Sequence, residues 1–94
     1  MKIKKHKDKI YFLCPGCNQE HVIDKTWEFN GDLEKPTISP SILVSGYRFG
    51  EGNEQIPFRC HSFIIDGMIR FKSDCTHDLA GKTVELLKYN DQEI

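Results

Sequence analysis

"CHSFIIDGMIRFKSDCTH", residues 60–77, decides how this chain is read. Phe63-Ile64-Ile65 and Met68-Ile69-Arg70-Phe71 are short runs rich in apolar and β-branched residues. Between them, Asp66-Gly67 has the composition of a two-residue type I′ turn, so 60–73 is expected to be a β-hairpin. In that register Ile65 faces Met68 and Cys60 faces Ser73. Cys75, two residues further on, becomes a diagonal neighbour of Cys60, about 7–8 Å away and on the same face. Successive side chains on a strand point to opposite faces, so Cys60 and His61 should point apart.

Upstream, "KIYFL" (9–13) reads as a strand, "CPGC" (14–17) as a tight turn and "EHVID" (20–24) as the returning strand. "TWEFNGDLEKP" (26–36) alternates aromatic and charged residues before an Asn30-Gly31 turn. "TISPSILVSGYRF" (37–49) carries a buried strand at Ile42-Leu43-Val44, and "GEGNEQIP" (50–57) is a loop. Downstream, "THDLAG" (76–81) is expected to form one helical turn, with Thr76 as its cap and Gly81 as its end. "KTVELLKY" (82–89) reads as a strand because Thr83 and Val84 are β-branched. The expectation is a mostly β single domain over 1–94, with a basic edge or tail at 1–8 and a polar tail at 90–94.

Four cysteines stand in the order C-x2-C, then Cys60, then Cys75. A C-x2-C knuckle supplies two thiolates from one turn, and tetrahedral zinc takes four such ligands. At 94 residues the chain has a thin core, and small domains of this kind are often stapled by a metal or by disulfides. The short apolar run after the basic start does not make a secretory signal, and nothing approaches a membrane span. A cytoplasmic chain keeps its thiols reduced, which favours zinc over disulfides. Cys14, Cys17, Cys60 and Cys75 are therefore the expected ligands of a structural Zn2+, with His21, His61 or His77 as possible replacements for a cysteine. Four thiolates close the site, whereas a histidine among the ligands would leave a zinc-bound water conceivable.

The net charge of −1 points to no polyanionic partner. Lys2, Lys4, Lys5, Lys7 and Lys9 crowd the first nine residues. They read as a solvated strand edge, the alternative being a basic arm for nucleic acid. "TISPS" sets Ser39 and Ser41 around Pro40, just ahead of a buried strand. A serine nucleophile needs a histidine within reach and gains from a carboxylate behind it. Ser41, His61 and Asp74 are the candidates, although each also suits an ordinary turn or hairpin position.

"CPGC…H", "W…NGDLEKPTISPSILVSG", "CHSFIIDGMIRF" and "DCTHDLAGKTVEL" together resemble a family of small bacteriophage proteins of unknown function, sometimes mislabelled as ammonia monooxygenase. That family is distantly similar to the predicted peptidase of bacterial ubiquitin-like conjugation operons. The resemblance runs from about Cys14 to Leu86 and implies Ser41 (or Ser39) and His61 as active residues. This chain has Cys60 immediately before that histidine, where the peptidases differ. Three functions follow as expectations. One is a zinc-stapled serine hydrolase acting on ubiquitin-like protein tails in the cytoplasm of an infected bacterium. The second is a non-enzymatic zinc-ribbon-like module that binds a host or phage protein, or nucleic acid. The third is a catalytic zinc site using His61 or His77.

Overall fold

A computed structural model of the chain describes residues 1–89, so the polar tail at 90–94 lies outside the described residues. The fold is mostly β, built as two antiparallel sheets. The first sheet orders β1 (Ile3–His6), β2 (Lys9–Cys14) and β3 (Gln19–Ile23) as a meander. The second orders β4 (Glu28–Phe29), β5 (Ile38–Phe49), β6 (Gln55–Ile65), β7 (Met68–Phe71) and β8 (Thr83–Glu85).

The period-two pattern of the sequence selects the buried face of each strand. In β2, Ile10, Phe12 and Cys14 are buried while Tyr11 and Leu13 are less so. In β6, Cys60, Ser62 and Ile64 are buried while Arg59, His61 and Phe63 alternate outward. Ile3 pairs with Phe12, and Ile64 with Ile69. One cluster of buried residues draws on both sheets, joining Ile3, Ile10, Phe12 and Ile23 to Ile38, Ile42, Ile64, Ile69, Phe71 and Leu86.

The β6–β7 turn is as expected. Asp66 and Gly67 both have positive φ, 52° and 80°, as a type I′ turn requires, and Ile65 pairs with Met68. Gly67 matters twice, because a side chain there would also press on the backbone of Glu34 and Lys35.

Several expectations change. Of Ile42-Leu43-Val44 only Ile42 is buried, because Leu43 alternates to the outer face, and residues 55–57, expected in a loop, begin β6 by pairing with β5. Residues 76–81 form consecutive turns rather than a helical turn. Ala80 N–H donates to His77 O (3.3 Å) and Lys82 N–H to Leu79 O (3.0 Å). Thr76 cannot cap a helix there, because it is committed to Arg59. Its N–H donates to Arg59 O (2.9 Å), and its Oγ1 accepts from Arg59 N–H (3.0 Å). Lys4 and Lys5 lie on β1, an edge strand of the first sheet, whereas Lys2 is turned inward. Lys2 is buried, donates to Gly67 O at 3.1 Å and pairs with Glu85 at 3.6 Å.

Because Ile64 is fully buried and paired with Ile38 on one side and Ile69 on the other, Ile64→Ala should cost about 2–5 kcal/mol. Val22 is half-exposed, and Val22→Ala should stay within about 0.5 kcal/mol. Urea denaturation of the two variants against the parent chain measures both.

Candidate functional site

β6 carries two kinds of chemistry on its two faces. On the inner face, Cys60 pairs with Val44 and is 1% exposed. On the outer face, His61 pairs with Leu43.

The inner face meets the C-x2-C knuckle at the end of β2. Cys14 Sγ lies 3.8 Å from Cys60 Sγ, and Cys17 N–H points at Cys14 Sγ at 3.4 Å. Cys14, Cys17, Cys60 and His77 place their ligand atoms within 4.8 Å of one another and could together hold a metal ion. A disulfide would need about 2.05 Å between sulfurs, so the 3.8 Å pair is not bonded. A tetrahedral zinc with bonds of about 2.3 Å to sulfur sets its sulfurs about 3.8 Å apart, and the cysteine pair fits that edge. His77 Nε2 is buried and has no hydrogen-bond partner among the described residues, as expected of a donor awaiting an ion. Leu79 N–H holds the ring from its other nitrogen, at 3.2 Å from Nδ1, and Phe71 meets it edge-on at 4.5 Å. A Cβ on Gly16 would overlap the His77 ring, so the glycine of CPGC makes room for the fourth donor.

Electrostatics says the same. The hydrogen bond with Cys60, helped by His21 and the Cys17 N–H against burial, brings Cys14 down to about 4. That bond, then burial, pushes Cys60 well up, while burial and the Cys14 charge raise Cys17 to about 11. Three crowded thiols cannot all ionise alone, whereas a bound cation lets them do so.

Cys75, expected as the fourth ligand, stands outside this group. The chain leaves β7 after Phe71 and turns, with Cys75 N–H donating to Lys72 O at 3.2 Å. That turn takes Lys72 O away from the β6 ladder, and the Cys75 thiol replaces it. His61 N–H donates to Cys75 Sγ (3.2 Å), and the thiol lies equally close to His61 O. β7 ends at Phe71, so Cys75 does not reach the diagonal position opposite Cys60. His77 reaches the knuckle because the turn redirects the chain. His21, the other named substitute, is buried edge-on against Phe12 at 5.5 Å and is not among the four grouped donors.

On the outer face, Ser41, His61 and Asp74 come together. The Ser41 hydroxyl lies 3.0 Å from His61 Nε2, and His61 Nδ1 lies 3.4 Å from Asp74 Oδ2. A break in the β5 ladder positions the serine. Ile38 pairs with Ile64 and Ile42 with Ser62, so β5 has two more residues than β6 across this step. Pro40 lies inside the irregularity, where its missing N–H removes a ladder bond. Trp27 Nε1–H donates to Ser41 O at 3.3 Å and braces the serine's main chain. Ser39 instead pairs with Glu28 on β4. Arg59, which the sequence reading did not single out, contacts Asp74 Oδ2 at 3.5 Å. Its position two residues before His61 on a strand was the available signal. Burial opposes ionisation of Asp74, but the His61 hydrogen bond, the Asp74 backbone and the charges of His61 and Arg59 hold it below the usual carboxylate range. A cleft of about 400 Å3 opens beside Asp74 and Arg59, bounded by Ser45, Tyr47 and Pro57.

A family model described as "Bacterial ubiquitination-like system serine protease (BubE)" matches residues 1–72, a span that contains Ser41 and His61 and ends before Asp74 and His77. No curated protein and no solved structure matches the chain significantly.

Metal analysis of the purified chain should find one divalent ion per chain, lost in Cys60→Ser and His77→Ala and kept in Cys75→Ser. A depressed carboxyl exerts its stabilising contact above its ordinary pKa and loses it as pH falls through the lowered value. Asp74 should therefore titrate below 3.8 in a carboxyl 13C NMR titration, and His61→Ala should move it up towards 3.8.

Proposed function

The chain belongs to the bacterial ubiquitination-like system serine protease family, and from that premise we propose that it is a zinc-stapled serine hydrolase acting on protein tails. The observation that carries the reading is the Ser41 hydroxyl at 3.0 Å from His61 Nε2, with Asp74 behind the other ring nitrogen. Ser41 Oγ attacks the acyl carbon of the scissile bond while its proton passes to His61 Nε2. Asp74 accepts from His61 Nδ1–H, which fixes the tautomer and offsets the charge on the imidazolium. His61 then gives the proton to the leaving amine. Water, deprotonated by His61, releases the acyl group and restores the serine.

The substrate class is a protein tail, with a ubiquitin-like C-terminus as the first candidate. The setting is a bacteriophage chain working in the cytoplasm of its host against a conjugation system. No helix among the described residues is long and apolar enough to cross a membrane. The residues fit zinc: Cys14, Cys17, Cys60 and His77 would supply all four tetrahedral donors, so the site is closed even with a histidine among them, and the ion would act as a cross-link. An ion held by these four residues would lie on the face of β6 opposite the reacting atoms. By fixing Cys60 it would also fix His61, the next residue on the strand.

A fluorophosphonate probe should label the parent chain and leave Ser41→Ala unlabelled. Labelling of both, or of neither, defeats the reading. His61→Ala should slow labelling by roughly 10³-fold or more, and Asp74→Asn should slow it less. Stripping the metal with a chelator should abolish labelling together with the near-ultraviolet circular dichroism signal. Loss of labelling with the fold intact would instead put the ion in the chemistry.

A further inference from the structure

The outer face of β6 continues past His61 into a second feature that the hydrolytic groups do not use. Strand alternation puts Phe63 on the face of His61, and the ladder sets Arg70 opposite Phe63. Lys72 stands opposite His61, since Lys72 N–H donates to His61 O at 2.8 Å. Phe63, Arg70, Phe71, Lys72, Ser73 and Gly81 line a cavity of about 510 Å3. Phe63 is half-buried, while Arg70 and Lys72 are exposed. Lys72 Nζ lies 5.8 Å above the Phe63 ring. Among the described residues neither cation has an ion pair, whereas the nearby Arg59 is matched with Asp74 and Lys2 with Glu85. Two unmatched cations at the rim of an aromatic-lined cavity, next to His61, create a local positive field in a nearly neutral protein.

Resting on the hydrolytic reading above, we propose that Phe63, Arg70 and Lys72 form a carboxylate-binding subsite. It takes a carboxylate of the peptide being cut, either an acidic side chain near the scissile bond or the free C-terminus of a short tail. Arg70 provides a planar donor fork suited to a carboxylate, and Lys72 provides a point charge held over Phe63. Phe63 gives the aliphatic stem of the bound residue an apolar floor. The subsite thus acts on substrate choice and leaves the reacting groups untouched.

The test is protection of Ser41 from fluorophosphonate labelling by four hexapeptides. These are a glutamate-containing sequence and its glutamine counterpart, each with a free and an amidated C-terminus. The glutamate peptides should protect at about tenfold lower concentration than the amidated glutamine peptide, the scale of one charge-assisted contact. If both free-terminus peptides show that gain and the amidated glutamate peptide does not, the carboxylate is the chain terminus. In the Arg70→Gln/Lys72→Gln double variant the advantage should vanish while labelling without peptide is unchanged. Lys25→Gln, a surface change elsewhere, should preserve the advantage. Equal protection by all four peptides, or an advantage that survives the double variant, overturns the subsite and leaves the hydrolytic reading standing. Failure of the parent chain to label at all counts against that reading instead.

Discussion

Much of this structure depends on one constraint, the alternation of side chains along β6. Neighbouring residues on a strand cannot face the same way. Cys60 is therefore directed into the core beside Cys14, and His61 is directed outward to Ser41. Fixing one of the pair fixes the other, because they share a peptide unit whose hydrogen bonds are themselves held. His61 O accepts from Lys72 N–H, and His61 N–H is capped by the Cys75 thiol. Any ion gripping Cys60 would restrict the histidine backbone without approaching the serine.

The cysteine and histidine cluster also joins parts of the chain that are otherwise remote. Cys14 ends a strand of the first sheet, Cys17 lies in the turn that follows it, Cys60 belongs to the second sheet, and His77 to the turns that follow β7. A chain of 94 residues buries little apolar surface per residue, so a cross-link between sheets matters more here than in a larger domain. The buried cluster of Phe12, Ile64, Ile69 and Phe71 supports the sheets from the same side as the thiols. The core and the candidate ligand Cys60 therefore share one face of β6, and the outer face is left open for polar groups.

On that outer face the serine depends on a defect. An unbroken ladder between β5 and β6 would carry no extra residues between Ile38 and Ile42. Pro40 cannot donate to a ladder, and the two extra residues swing Ser41 towards His61. Trp27 then ties the serine carbonyl from β4's side of the sheet, and Arg59 steadies the carboxylate behind the histidine. Each group that holds the three side chains comes from a different segment, so the arrangement requires β5 and β6 to be paired and the turn after β7 to be in place.

Much of this was legible in the residues alone. Apolar alternation and the Asp66-Gly67 turn specify the β6–β7 hairpin, because both act over a few neighbouring positions. The same parity separates Cys60 from His61, and the C-x2-C spacing marks Cys14 and Cys17 as ligand candidates. The choice between Cys75 and His77 was not legible. It depends on where β7 ends, and the chain turns after Phe71 because Thr76 pairs with Arg59 and Cys75 caps His61. For the same reason the expected helical turn at 76–81 became a set of bends. The Trp27 contact and the closeness of Ser41 to His61 were equally out of reach, since each joins residues far apart in the chain. Local periodicity determined the strands and their faces. Only the tertiary structure, through long-range pairing and one break in register, decided which side chains on those faces would meet.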